Sequence, residues 1–334
     1  MSGSSFVFSN ARVKAKEKSL LAISQLNRLI DCQALDDAFK MLVEFGYGSG
    51  SSYENKDFDR LFAIEENNAT ALLRELDVKD SGLSVFLTKN DFHNAKALYK
   101  ARELELLSSK DDSFNSTLAS QGYITVEKLR DALLAKDYRN LSIEMSATLK
   151  KLDNLKDAGK LSPHIIDVEV DKAMFAEILA VLKKAKRKEL SNYFVQTIDI
   201  ANISAFVRSK RLDLPLSFFE NGFIEGGNLN FKFYESMFEQ SLELFKEKMK
   251  YTQYASLGEV ATDKSGLSKF EVECDNMLLS IFKKEKNNMF TASPIAGFYL
   301  GKLTELKVVK LVVAALKNGV DAQVMKQRMR ELYA

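Results

Sequence analysis

Thr88–Arg102 reads TKNDFHNAKALYKAR and Thr197–Lys210 reads TIDIANISAFVRSK. Aligned on Asp91 and Asp199, the two stretches share more than the acid: Asn94 faces Asn202, Phe92 faces Ile200, Ala95 faces Ile203 and Leu98 faces Phe206. An Asp and an Asn three residues apart share one face of a helix. The apolar residues beside them mark a stripe for burial. A third copy fits at Glu305, where Leu306, Val309 and Val312 take the apolar places and Val308 replaces the Asn. The three acids stand 108 and 106 residues apart.

Other landmarks keep the same order. An acid-x-Asp triplet precedes each copy by 32, 28 and 30 residues: DFD (57–59), EVD (169–171) and ECD (273–275). A glycine with a capping residue follows each: Gly122 with Thr125, Gly227 with Asn230, and Gly319 with Asp321. The shared order predicts a threefold internal repeat, with lobes at 1–122, 123–227 and 228–334 and helices exchanged across the boundaries.

The repeat also judges His93. Ala201 and Lys307 take its place in the other copies, so the architecture does not need an imidazole there. A buried polar group is costly unless paired. Asp91, Asn94, Asp199, Asn202 and Glu305 are therefore read as structural, tying neighbouring helices by hydrogen bonds at the edge of a buried seam.

The rest of the chain is predicted to be helical. Three prolines and fifteen glycines in 334 residues are few turn residues, and apolar residues recur at helical spacing. A first helix is expected from Val13 to Ile30, capped by Ser9 or Asn10. Others are expected at 33–46, 54–77, 83–107, 125–135, 141–157, 164–188, 190–210, 230–254, 268–287, 294–317 and 321–333. Ser293-Pro294 offers a cap and a first-turn proline. Asn318-Gly319 offers a stop, because glycine accepts the left-handed conformation. Loops are expected at 46–52, 108–122, 157–163, 220–228 and 255–266.

Bulk chemistry narrows the function. Apolar residues make up 46% and charged residues 28%, with 48 basic against 46 acidic residues. That composition is globular. A net charge of +2 lacks the basic excess of a nucleic-acid binder. Two distant cysteines, Cys32 and Cys274, form no CxxC pair and suit a reducing compartment. The N-terminus shows no basic start followed by an apolar run, so no signal peptide is expected. No run of about 18 uncharged apolar residues predicts a membrane span.

Catalytic patterns fail on inspection. AGFYLGKL (296–303) has three residues between its glycines where a phosphate loop has four, and Leu303 replaces Ser/Thr. The stretch also lies in a predicted helix, whose amides are already bonded. Its small residues read instead as a close-packing face. His164 has no second His at ligand spacing, and no GxSxG elbow exists. No catalytic, cofactor-binding or metal-ligating residue is assigned. The basic run KKAKRKEL (183–190) suits phosphate, an acidic partner or lipid headgroups; a solvated helix end is the plainer reading. Lys183, Lys184, Lys186, Arg187 and Lys188 are its candidate partner surface. SFF (217–219) and FKFY (231–234) read as core or helix packing, with a partner surface as the alternative.

The residues together resemble the C subunits of the bacterial and archaeal rotary A/V-type ATPases, the counterparts of the d subunit of the eukaryotic vacuolar ATPase. The likeness begins at NARVKAKEKSLL and continues through the two Asp-x-x-Asn helices and IEGGNL. It closes on GFYLGKLTELKVVKLVVAALKNGVDAQVMKQRMRELYA, its most specific part. Thr88-Lys89-Asn90 before Asp91, and Val308, depart from the family's pattern. The resemblance implies an all-α protein of three pseudo-repeated helical lobes around a pseudo-threefold axis, shaped like a funnel. It implies a non-catalytic rotor subunit, without a cofactor, on the cytoplasmic face of the membrane. Such a subunit receives the central shaft (subunits D and F) and sits on the membrane rotor ring, touching the membrane only through that ring and binding no nucleic acid. A helical scaffold with unrelated partners, and an α-helical enzyme built on scattered carboxylates, are the rival readings.

Overall fold

The computed structural model describes residues 3–50, 57–77, 80–108, 113–263, 267–326 and 328–334. Parts of the expected loops at 46–52, 108–122 and 255–266 lie outside the described residues. The described residues hold helices and no strand. The chain is all-α.

It divides into two compact units, one of Met1–Leu83 with Gln240–Ala334, the other of Ser84–Glu239. The first unit opens with α1 (Gly3–Glu17), α2 (Ile23–Ile30), α3 (Leu35–Glu44) and α4 (Phe58–Leu76). The second holds α5 (Val85–Glu103), α6 (Val126–Ala135), α7 (Ile143–Asp157), α8 (Pro163–Ala185), α9 (Lys188–Arg211), α10 (Leu216–Gly222) and α11 (Phe231–Phe238). The chain then returns to the first unit with α12 (Leu242–Met249), α13 (Ala255–Thr262), α14 (Leu267–Lys284), α15 (Ser293–Lys317) and α16 (Ala322–Lys326).

In the first unit α15 is the centre, packing on α4, α14, α1, α3, α2 and α16. Its stripe of Val308, Val309 and Val312 is fully buried and meets Leu26, Leu29 and Leu42 from α2 and α3. In the second unit α8 is the centre, flanked by α5, α7 and α9. Phe92, Leu98, Leu133, Leu149 and Ile166 share one core there. The aromatic runs are core in part: Phe219 packs edge-on to Phe206 at 5.5 Å and beside Tyr234 at 5.3 Å between centroids, whereas Phe231 and Phe233 are half-buried and Phe218 is exposed.

Helix boundaries follow local chemistry. Thr125, Ser142, Ser162, Asn230 and Ser241 each cap a helix by accepting a first-turn N–H, as short polar side chains do at N-caps. At the other end, α5, α9 and α15 finish alike. Each is followed by a left-handed residue fourteen positions past its acid: Glu105 at φ 59°, Asp213 at 50° and Gly319 at 64°.

Several expectations are corrected. Ser9 and Asn10 cap nothing; they lie inside α1, and Asn10 Nδ2 donates to the carbonyls of Met289 and Thr291 at 2.9 and 3.0 Å. The single helix expected at 230–254 is broken, because Ser241 Oγ accepts from Leu244 N–H and starts α12 afresh. The stretch expected as loop at 255–266 carries α13. Its Gly258 lets the helix approach the Met249 side chain, which a Cβ would strike. Ala292 rather than Ser293 is the cap residue of α15. The last helix stops at Lys326, not 333, because the tail finds partners outside itself. Arg330 Nε donates to Asp275 at 2.8 Å, Glu331 N–H donates to Asn276 Oδ1 at 2.8 Å, and Tyr333 lies against Gly297 and Gly301. The small residues of AGFYLGKL thus receive the chain's own tail. The triplets are equivalent only in part: Asp59, Asp171 and Asp275 all sit inside helices (α4, α8 and α14), and the last two pair with Lys96 and Lys307 at 2.6 and 2.5 Å, whereas of the leading acids Asp57 caps α4 and Glu169 and Glu273 lie within α8 and α14.

Candidate functional site

The five repeat positions are buried, Asp199 completely. On α5, Asp91 Oδ1 accepts from Ile124 N–H at 2.9 Å. One turn later Asn94 forms a reciprocal pair with Ala119, donating to its carbonyl and accepting from its N–H, both at 2.8 Å. Asn90 donates to the Gln121 carbonyl at 3.0 Å, and His93 Nε2 donates to the Thr117 carbonyl at 2.8 Å. The cluster Asn90, Asp91, His93 and Asn94 thus grips one loop by its backbone. The bonds run from helix to loop, not between helices as the spacing suggested.

On α9 the grip recurs. Asp199 accepts from Leu229 N–H at 2.9 Å and from Asn228 N–H at 2.8 Å. Asn202 forms the reciprocal pair with Ile224, at 2.8 and 3.0 Å. In both copies a glycine lets the loop come this close. A Cβ on Gly122 would collide with Asp91 Oδ1, and one on Gly227 with Asp199 Oδ1. The gripped residue stands just before the next cap, Ile124 before Thr125 and Leu229 before Asn230. The acid therefore fixes where the next helix begins.

Glu305 on α15 does the same to a different part of the chain. Its Oε2 accepts from Leu21 N–H at 2.7 Å, just before Ala22, the N-cap of α2. Gly319 and Asp321, the glycine and capping residue downstream of it, are not what it holds. Val308 in the Asn place is fully buried among apolar residues. Glu305 Oε1 also accepts from Tyr47 OH at 2.5 Å and from Lys302 Nζ at 2.8 Å. Lys302 pairs in turn with Glu65 at 2.7 Å, and Glu65 accepts from Gly48 N–H at 3.0 Å. Burial, then the charge of Glu305, pushes the Tyr47 hydroxyl well above its ordinary range.

A second network surrounds Asp153 on α7. It accepts from Tyr138 OH at 2.7 Å, from Tyr99 OH at 3.1 Å and from the Arg102 guanidinium. Burial alone would raise this carboxyl, but the bonds from Tyr138 and Arg102 outweigh it and hold it below the usual range. Burial and its bond to Asp153 push Tyr138 up to about 12. Arg102 also donates to the Leu133 carbonyl at 3.0 Å, and Lys210, at the matching place on α9, donates to the Phe238 carbonyl. Sequence reading missed both networks. The signal was there in one case: Lys302 is a cation in the apolar stripe of α15, three residues before Glu305.

These groups hold the chain's own backbone and each other. The chemistry they support is positioning of helices, with these buried carboxylates hydrogen-bonded to backbone N–H groups, hydroxyls or cations. His164 lies apart, stacked on Phe218 at 4.6 Å. The basic run forms the turn between α8 and α9. Lys183, Lys186, Arg187 and Lys188 line a surface concavity of about 330 Å³ there, with Lys184 exposed beside it.

The sequence model of the family described as "ATP synthase (C/AC39) subunit" matches residues 9–328. Among similar curated proteins is the C subunit of the V-type sodium ATPase of Enterococcus hirae, 21% identical over 333 residues, 97% of this chain and 98% of that protein. The C subunit of the A-type ATP synthase of Methanocaldococcus jannaschii is 24% identical, over 92% of this chain and 82% of its own length. That of Pyrococcus abyssi is 22% identical, over 98% and 90%. With a match from the middle of α1 to beyond α16 and an all-helical fold, this chain belongs to the ATP synthase (C/AC39) subunit family.

Proposed function

We propose that this chain is a non-catalytic rotor subunit that couples the central shaft, subunits D and F, to the membrane rotor ring of a rotary ATPase. The observation that carries the reading is the family match over residues 9–328, together with relatives named as C subunits of V-type and A-type machines that align over nearly their whole length. Among the described residues no helix is long and apolar enough to cross a membrane. The subunit's place in this reading is peripheral, on the cytoplasmic face.

The physical argument concerns stiffness. Torque passes only through a part that does not unfold locally under load. Long helices with close-packed seams resist compression. Loops are the usual weak points of such a body. Here the connections after α5 and α9 are held by buried acid and amide side chains where they enter the next helix, so load on each helix reaches the start of the one that follows. The matching ends of α5, α9 and α15 support three related lobes at 1–122, 123–227 and 228–334, arranged around a pseudo-threefold axis as a socket.

The test is copurification. A tag on the chain in its native host is expected to bring down the ATPase head, the shaft subunits and the ring. Recovery of an unrelated complex instead would favour the scaffold reading and overturn this one.

A further inference from the structure

The turn between α8 and α9 places Lys183, Lys184, Lys186, Arg187 and Lys188 within six residues. Its sharpness has a backbone cause. Lys186 takes the left-handed conformation at φ 55°, and the N–H groups of Lys186 and Arg187 close α8 on the carbonyls of Lys183 and Leu182, each at 3.3 Å. The four lysines are exposed. Other lysines of this unit face carboxylates: Lys96 meets Asp171, Lys100 meets Asp167 and Lys151 meets Glu169, each at 2.6 Å. Lys183, Lys184, Lys186 and Lys188 form no ion pair with a described residue. Lys183 and Lys184 suit the C-terminal turn of α8, but Lys186, Arg187 and Lys188 stand at the N-terminal end of α9, where cations are disfavoured, so stability does not account for the whole cluster.

The concavity between the two helices adds a donor to the cations. Asn192 lines it beside Ser191, whose hydroxyl already donates to the Arg187 carbonyl at 2.8 Å. Asn192 Oδ1 accepts from Gln196 at 3.0 Å, which leaves its amide hydrogens to donate. A carboxylate only accepts, and it matches such a lining. Lipid contact would join cations to exposed apolar anchors, but the neighbouring Leu182 and Leu190 are buried. We propose that this basic cleft docks a carboxylate-rich segment of a partner subunit. The existence of that partner rests on the assembly reading above.

The test has two arms. In the first, a fluorescent ten-residue polyglutamate peptide is titrated onto the full-length chain at low salt. The variant K183E/K186E/K188E is compared with K160E/K232E/K317E, which changes net charge equally at exposed sites elsewhere. The cleft variant is expected to weaken binding at least about tenfold and the control less than about twofold, with circular dichroism unchanged in both. Equal losses overturn the proposal, because net charge alone would explain them. Vesicles of phosphatidylglycerol in phosphatidylcholine form a parallel probe; a cleft-dependent loss there without a loss of peptide binding overturns it in favour of lipid. In the second arm the cleft variant is expected to recover less of the rotary assembly than the wild type. Unchanged recovery overturns the proposal and leaves the assembly reading standing. If the wild type itself recovers no assembly, that reading falls, and the peptide titration still decides what the cleft prefers.

Discussion

Asp199 and Glu305 make the same kind of bond to opposite ends of the problem. Asp199 holds a backbone N–H 30 residues further along the chain. Glu305 holds one 284 residues back, next to the start of α2. The first grip is local and lies within one compact unit formed by a continuous segment. The second joins the two distant segments of the other unit. Each grip on α5 and α9 starts the helix that follows it, while Glu305 starts a helix near the beginning of the chain. The comparison teaches that the last copy of the pattern is completed by the N-terminal segment. Gly319 follows Glu305 by only 14 residues, against 31 from Asp91 to Gly122 and 28 from Asp199 to Gly227, and the segment that the third acid grips stands at the other end of the sequence.

The difference in chemistry follows from the difference in place. The local grips use short side chains, one Asp and one Asn, against a loop that glycine lets come close. The distant one uses the longer Glu, has no Asn beside it, and joins a buried network with Lys302, Glu65 and Tyr47. Removing Glu305 leaves Lys302 its pair with Glu65, but it strips the acceptor from two buried donors, the Leu21 N–H and the Tyr47 hydroxyl, at a cost of about 3–5 kcal/mol together. Glu305→Ala is therefore expected to destabilise the full-length chain by about that amount in urea unfolding, the largest effect of any single repeat position. A loss no larger than that of Asp91→Ala would break the distinction and make the network incidental.

Asp199→Ala removes acceptors from the N–H groups of Asn228 and Leu229. About 2–3 kcal/mol is expected, the scale of buried donors left unsatisfied. Gly227→Ala reaches the same bonds from the other side, since its Cβ collides with Asp199 Oδ1. It should weaken the chain to a similar degree, and combined with Asp199→Ala it should add less than its separate cost. Full additivity, measured in a double-mutant cycle, would show that glycine and acid do not act as one device.

Much of this was legible in the sequence, and the failures have one cause. The Asp-x-x-Asn spacing was visible because both residues sit on one helix face and their loop lies within a few dozen positions. Thr125 and Asn230 were visible as caps, whereas Ser9, Asn10 and Ser293, equally suited by type, are not cap residues. The closure at Glu305 was not visible, because nothing local ties residue 305 to residue 21. The repeat acids were expected to tie neighbouring helices, and the downstream landmarks Gly319 and Asp321 gave no pointer to Leu21. The Asp153 network was hidden for the same reason: Tyr99, Arg102, Tyr138 and Asp153 come from three different stretches, and each alone is an ordinary residue. The tail misled because its helical periodicity was real, while its bonds to α14 and α15 hold residues 328–334 in a non-helical path.

The Asp153 network gives the comparison a handle in pH. The folded state holds the Tyr138 hydroxyl at about 12 against an ordinary value of 10.0. A group raised on folding contributes stability that is fully present below its unfolded pKa. That contribution is lost as pH rises through the folded value. Stability should therefore fall as pH climbs from about 10 to about 12. Tyr138→Phe should cost about 1–2 kcal/mol at neutral pH, since its hydroxyl donates to Asp153 and accepts from Arg102, and flatten that alkaline slope. Asp153 has the opposite sign: its carboxyl is lowered on folding, so its contribution is lost as pH falls below the ordinary carboxylate range. Asp153→Asn should flatten the acid side. A slope unchanged by either variant would separate this network from the stability of its unit.

The smallest effect should come from the pairs on the outside of the same helices. Lys96 meets Asp171 at 2.6 Å where α5 crosses α8, yet the Asp171 carboxylate is 44% exposed. Solvent and counter-ions compete for such a pair, and ordering two side chains offsets part of the attraction. Lys96→Ala is expected to cost about 0.5 kcal/mol, and less in high salt. The buried grip of Asp91 on the same helix should hold its value across the same salt range, because ions do not reach it. Two sites on one helix, five residues apart, would then respond differently to ionic strength. Should the Asp91→Ala penalty shrink with salt as much as that of Lys96→Ala, the grip would be open to solvent and could not keep its loop from giving way under load.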